Sequence, residues 1–206
     1  MKPIVLFDFD RTLFDTAHYG DALTEVLAEL LRTNKVTLRK VMTDYVSSLA
    51  SDREFDPDNY TKFLCDKFSF ENQEILLSVF YGEGYKHWYK DYIFPEAYEL
   101  INNLKNKYNL GLYSEGTQKF QNYKIESSGI LKYFDIDLIF ILDNKSTPVS
   151  LAKIPSSSVI IDDKKSVCQY LFENGMKCFW LNKKGEPDSK DFPTVHTLLE
   201  VMEKLL

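Results

Sequence analysis

Asp8 and Asp10 close the chain's first apolar run, Ile4-Val5-Leu6-Phe7, with one residue between them and Thr12 two positions further on. A short apolar run reads as a buried strand of a parallel sheet, and such sheets bind ligands in the crevice at their carboxyl ends. Two carboxylates this close raise each other's pKa unless a cation lies between them. The pair therefore asks for a metal, Mg²⁺ above all, which takes oxygen ligands that it shares with a phosphate. Phosphoryl transfer is the chemistry expected of such an edge. A lone Asp after a strand often only caps the next helix, but Asp15 and Thr16 are better placed for that duty here.

Later segments bring complementary groups to the same edge. Ser114-Glu115-Gly116-Thr117 follows a second apolar run, so a hydroxyl and a glycine-containing turn form an anion site, although Ser114 alone also reads as a helix N-cap. Asp162 and Asp163 end the run Val159 to Ile161 as a second acidic pair, whose simpler reading is a cap for a helix near Ser166. A Mg²⁺ ligated from both pairs, Asp8 and Asp10 with Asp162 and Asp163, keeps several waters and still touches phosphate oxygens. So much negative charge needs a further cation. Lys145, in the loop Asp143 to Pro148, is the candidate, and Lys153 competes with it.

The elements that must position these groups are also legible. Five runs read as strands, Ile4 to Phe7, Leu110 to Tyr113, Leu138 to Leu142, Val159 to Ile161 and Cys178 to Leu181, and helical patterns lie over Glu96 to Tyr108, Gln118 to Ser128, Ser166 to Gly175 and Thr194 to Leu206. The alternation predicts an α/β fold built on a parallel sheet with crossover helices. About a hundred residues separate the first two strands, far more than a crossover needs, so an inserted helical subdomain is expected from about Thr16 to Tyr92, with a polar break at Ser51 to Asp58. Its many aromatics, among them Phe63, Phe80, Trp88 and Tyr89, are expected mostly in the core.

The 206 residues are 44% hydrophobic and 27% charged, which excludes a disordered chain, and the net charge of −6 with scattered lysines argues against a nucleic-acid surface. No stretch approaches a membrane span and no cleavable leader is visible, so a cytoplasmic location is expected. Cys65, Cys168 and Cys178 lack zinc-site spacing and read as buried free thiols.

Taken together, the apolar strand with Asp8, Asp10 and Thr12, the strand ending in Ser114, the lysine Lys145 and the acidic pair Asp162 and Asp163 resemble the four motifs of the haloacid dehalogenase (HAD) superfamily of hydrolases. Lesser echoes are Phe94-Pro95, Gln121, Lys124, Ser128-Gly129-Ile130 and Tyr133-Phe134-Asp135. The resemblance implies a Rossmann-like three-layer core at 1–15 plus 93–206 and an all-helical cap at 16–92. It also implies that Asp8 attacks phosphorus to form an aspartyl-phosphate and that Asp10, held by Thr12, serves as acid and then base, protonated in part through crowding by other carboxylates. Thr12, Ser114, Glu115, Gly116 and nearby amides would surround the phosphoryl group, Lys145 would neutralise charge, and Asp162, with Asp163 through water, would ligate Mg²⁺ together with Asp8 and the carbonyl at Asp10.

Halide-displacing members lack the second aspartate, because a halide leaves without a proton, so Asp10 favours a phosphatase acting on a small phosphorylated metabolite. A phosphomutase and a non-catalytic phosphate- or metal-binding protein are the alternatives, and a receiver-type signalling domain fits less well. Arg11 stands where Gly is frequent, facing either substrate or solvent. Glu115 replaces a small polar residue and suits a positively charged substrate or a cap-facing position, the short spacing from Lys145 to Asp162 predicts a trimmed helix, and His18 reads as a helix-surface residue or a substrate contact. Oligomeric state stays open.

Overall fold

The computed structural model describes residues 2–51 and 54–206, so Met1 and, within the expected polar break, Asp52 and Arg53 lie outside the described residues. Among the described residues, six strands form one sheet, β1 (Ile4–Phe7), β2 (Asn109–Glu115), β3 (Ile139–Leu142), β4 (Val159–Asp162), β5 (Lys177–Leu181) and β6 (Thr194–Val195). Every pairing is parallel, in the order β3-β2-β1-β4-β5-β6. The chain builds outward from β1 to β3 and then returns to the far side of β1 with β4. That reversal opens a crevice at the carboxyl ends of β1 and β4, where the two acidic pairs lie.

Among the described residues, ten α-helices accompany the sheet: α1 (Thr16–Leu30), α2 (Lys35–Ser48), α3 (Pro57–Phe68), α4 (Gln73–Tyr81), α5 (His87–Asp91), α6 (Pro95–Leu104), α7 (Gln118–Ser127), α8 (Pro148–Leu151), α9 (Lys165–Glu173) and α10 (Leu198–Leu205). Asp15, Asn34, Asp56 and Asn72 each accept the backbone amide three residues on, which fixes four helix starts at about 1 kcal/mol apiece. Val5, Leu6 and Phe7 are completely buried, each contributing roughly 2 kcal/mol. Alternation sends Val5 and Phe7 to the face covered by α6, α7 and α10, and Leu6 to the face covered by α9, giving the three expected layers.

The first face shares one continuous core with the stretch between β1 and α6. Phe9, Leu13 and Phe14 pack with Leu23 and Leu27 of α1, Leu38 of α2, Tyr60 and Leu64 of α3, and Phe80 of α4. The segments entering and leaving this stretch run side by side, with Asp15 N–H donating to Tyr92 O at 2.7 Å and Phe94 N–H to Leu13 O at 2.9 Å. No helix among the described residues is long and apolar enough to cross a membrane. Cys168 and Cys178 are buried free thiols and Cys65 is half-buried.

Two helix expectations need correction. The last part of the helical stretch expected up to Tyr92 is interrupted at Gly82, whose amide donates to Ser78 O at 2.8 Å as α4 ends, and where a Cβ would sit 2.4 Å from that same carbonyl oxygen. The C-terminal helix starts at Leu198 instead of Thr194. Thr194 and Val195 pair with β5, and Thr197 caps the helix by accepting the Glu200 amide.

Candidate active site

Asp8 continues β1 by donating its amide to Ile161 O at 2.8 Å, and the chain then turns so tightly that Leu13 and Phe14 both donate to Phe9 O. Arg11 sits in this turn at a φ of 62°, a conformation that costs a residue with a side chain. The turn returns the Thr12 hydroxyl to Asp8 Oδ2 at 3.0 Å, so Thr12 holds Asp8 and not Asp10 as expected. Lys183, just beyond β5, braces the same turn by donating to the carbonyls of Arg11 at 3.0 Å and Thr12 at 3.3 Å.

Lys145 reaches the cluster because its loop is tied down at both backbone groups. The Tyr113 hydroxyl donates to its carbonyl at 2.8 Å, and its amide donates to Glu115 Oε1 at 2.9 Å. Its buried Nζ lies 2.5 Å from Asp8 Oδ1 and 2.6 Å from Asp162 Oδ2. Lys153 is exposed beyond the four-residue α8, the trimmed helix that the short spacing predicted. Asp162 also receives the Lys164 amide at 2.8 Å.

Oxygens of Asp8, Asp162 and Asp163 lie within 4.8 Å of one another. Burial, with Asp162 and Asp163 adding to it against the pull of Lys145, pushes the Asp8 carboxyl up to about 7. Asp163 is raised by burial and by Asp162, with Arg11, whose Nε is 3.8 Å away, acting in the other direction. Lys145 bonds only Asp8 and Asp162, and Asp163 has the half-exposed Arg11 at 3.8 Å, so the three clustered carboxylates are short of positive charge that a divalent cation would relieve, and this donor set fits a metal with hard oxygen ligands.

Asp10 belongs to a different neighbourhood, and its carboxylate stands outside that three-residue cluster. Lys124 Nζ bonds both of its oxygens at 2.7 and 2.6 Å, Gln121 Nε2 donates to Oδ2 at 2.8 Å, and the Thr16 hydroxyl donates to Oδ1 at 2.9 Å. Burial alone would raise its pKa, but Lys124 and these hydrogen bonds outweigh burial and bring it below the usual carboxylate range. Like-charge crowding, expected to protonate Asp10, acts instead on Asp8 and Asp163.

The second motif is also more internally satisfied than its sequence suggests. Ser114 is wholly buried in β2, its hydroxyl taken by Gln121 Nε2 at 2.9 Å, and the N-cap of α7 is Thr117. Gly116 adopts a φ of 144° and spends its amide on Leu142 O, and a Cβ there would lie 3.0 Å from Gln121 Cγ. Glu115, considered as a partner for a cationic substrate, instead bonds the Lys145 amide and Lys164 Nζ at 3.0 Å, which lower its pKa against burial. His18 is exposed on α1 and paired with Asp15, away from the site.

A cavity of about 220 Å³ joins these groups, lined at one end by Asp8, Lys145, Glu115, Asp163 and Lys164 and at the other by apolar side chains of α1, α2, α4 and α7. Arg11 lines it too. Of the aromatics between Phe63 and Phe94, Phe80 alone is among its lining residues; Tyr89 is buried in the core, whereas the others, expected mostly inside it, are half-buried against its surface. Sequence reasoning assigned Thr16 only a helix-capping role and Lys183 none, and it offered Gln121 and Lys124 only as family echoes. The signal for the latter two was present: α7 buries Gln121 and Lys124 beside Phe120 and Ile125, polar residues on an inward face.

The family model for haloacid dehalogenase-like hydrolases matches residues 5–146. The chain belongs to this family. Among HAD-like hydrolases of known structure, one from Burkholderia xenovorans aligns over 98% of this chain and 96% of its own, with a TM-score of 0.75 and 17% identity. A HAD phosphatase from Thermococcus onnurineus aligns over 100% and 98% with a TM-score of 0.66 and 21% identity. A HAD hydrolase from Bacillus subtilis, solved bound to magnesium, aligns over 99% and 98% with a TM-score of 0.68 and 19% identity. Dehalogenases and a phosphoglucomutase also share the fold, so the fold does not choose among reactions. Among curated proteins, none matches this sequence.

Proposed function

We propose that this HAD hydrolase is a Mg²⁺-dependent phosphomonoester hydrolase acting on a small phosphorylated metabolite. The reading rests on Asp10, a second carboxylate two residues after the nucleophile and held by Lys124, Gln121 and Thr16. Displacing a halide calls for no proton, whereas an alkoxide leaving group and an attacking water both need a proton carrier.

Asp8 attacks phosphorus, with Thr12 on one oxygen and Lys145 on the other fixing the plane of its carboxylate. The resulting aspartyl-phosphate divides the hydrolysis into two easier steps. Lys145, shared with Asp162, offsets the charge that develops on the phosphoryl oxygens. Asp10, positioned by Lys124, Gln121 and Thr16, hands a proton to the leaving oxygen and regains one when it deprotonates the attacking water, so its proton balance closes over the cycle. Asp8, Asp162 and Asp163 would hold Mg²⁺, which would supply charge neutralisation that permits an anionic substrate to approach. The helices at 16–92 act as a cap whose movement admits substrate and excludes water, with the paired segments around Asp15 and Phe94 as its hinge.

The test is phosphate release from an aryl phosphate with Mg²⁺ or chelator, comparing wild type with Asp8→Asn. Metal-dependent release that the substitution abolishes supports the reading. Halide release from a haloacid without phosphate release contradicts it, and transfer of phosphate between positions of one sugar would make the protein a mutase.

A further inference from the structure

We infer that the esters this site hydrolyses carry a compact apolar leaving group, aryl or short alkyl, and not a polyol or a nucleoside. The inference rests on the phosphatase reading above and names its substrate class. Direction comes first: the leaving oxygen must face Asp10, and Asp10 is held by Thr16 of α1 and by Gln121 and Lys124 of α7, the helices that line the inner half of the cavity. Whatever is attached to that oxygen therefore extends away from Lys145, Glu115 and Lys164 and into this half. It is bounded by Leu23, Met42, Val46, Phe55, Phe80 and Phe120.

Among the described residues, most of the hydrogen-bonding groups near this half are already committed, the buried Gln121 Oε1, which has no partner, being the exception among these lining side chains. Thr16, Gln121 and Lys124 bond Asp10, the Tyr19 hydroxyl is paired with that of Tyr89 at 2.9 Å, and the Thr117 hydroxyl donates to Phe55 O at 3.2 Å. A hydroxyl-rich group entering here would give up its bonds to water and find few partners, whereas an apolar group gives up nothing. Size agrees: about 220 Å³ exceeds the roughly 150 Å³ cavity that accepts a benzene molecule, leaving room for one ring and its phosphate.

Steady-state phosphate release with Mg²⁺ tests this across acetyl phosphate, phenyl phosphate, butyl phosphate, glycerol phosphate, glucose phosphate and adenosine monophosphate. Acetyl phosphate reports the phosphoryl chemistry with almost no leaving group in the inner half. The expected kcat/KM for phenyl phosphate is about 100-fold or more above that for glucose phosphate, the penalty for stranding two or more hydroxyls. Val46→Asn, which offers a polar partner, is expected to narrow that ratio about tenfold; the ratio is taken within one preparation, so partial unfolding cancels. A polyol ester or the nucleotide hydrolysed as well as phenyl phosphate overturns the substrate class, as does acetyl phosphate turnover without phenyl or butyl phosphate turnover, and in both cases the phosphatase stands. No phosphate from any compound overturns both readings.

Discussion

Replacing Lys124 with Met keeps an unbranched apolar side chain and removes the ammonium, which bonds Asp10 and lies over the rings of Phe9, Phe14 and Phe120, so it probes the Asp10 site. The pair is 2.6 Å apart with side chains 7% and 23% exposed, so deletion of the ammonium leaves a largely buried carboxylate without its counter-ion. Breaking a buried pair costs roughly 3–5 kcal/mol, and because Gln121 and Thr16 remain, the lower end, about 3 kcal/mol at neutral pH, applies. The sign follows from Asp10's depressed pKa: the pair's contribution is fully present above 3.8 and is lost as pH falls through the lower folded value. Urea unfolding of Lys124→Met should therefore show a deficit that shrinks as pH drops below 3.8. Adding Asp10→Asn to Lys124→Met should restore about 2 kcal/mol, since the stranded charge is gone. A deficit under about 1 kcal/mol, or one that Asn does not relieve, would refute the assignment of Asp10 as an ion held by Lys124.

Asp8 behaves in the opposite sense. Its folded value near 7 exceeds the ordinary 3.8, so the metal-free protein loses stability as pH rises through that interval. At pH above about 7, metal-free Asp8→Asn should melt higher than wild type, by about 1–4 kcal/mol in stability, while losing turnover. Mg²⁺ should raise the wild-type Tm, and the increment should grow from acidic to alkaline pH, because protons compete for the same oxygens; calorimetry with Mg²⁺ or chelator measures this, and a pH-independent increment contradicts it. Gly111→Ala should destabilise by several kcal/mol in denaturant titration, since the new Cβ would fall about 2.3 Å from the Leu138 carbonyl oxygen and 2.7 Å from Leu6 Cδ2. Loss under about 1 kcal/mol would mean that β2 and the turn before β3 separate more readily than this packing allows.

The carboxyl edge of the sheet was legible because the apolar runs and the residues that end them are contiguous: Asp8 after β1, Ser114 in β2, Asp162 ending β4. Lys145 was legible as the cationic residue of a short loop after β3. The neighbours of Asp10 were not, since Gln121 and Lys124 lie more than a hundred positions away and meet it only where the buried face of α7 crosses the first turn. That is also why the direction of its pKa was misread: local crowding is visible in sequence, and a distant ammonium is not. The Thr12 assignment failed for a related reason, as the positive φ of Arg11 folds the turn back on Asp8. β6 escaped notice because Thr194-Val195 is too short for a periodic signal, and its apolar residue blends into the helix that follows.

The central claim is that Asp8 carries the phosphoryl group. Rapid acid quench of the Mg²⁺-loaded enzyme during turnover of phenyl phosphate, followed by peptide mass spectrometry, tests it directly. The account predicts a phosphoryl adduct on the peptide containing Asp8, absent in Asp8→Asn and accumulating when Asp10→Asn slows the water step. A phosphoryl adduct on another residue, or turnover that persists in Asp8→Asn, would contradict it.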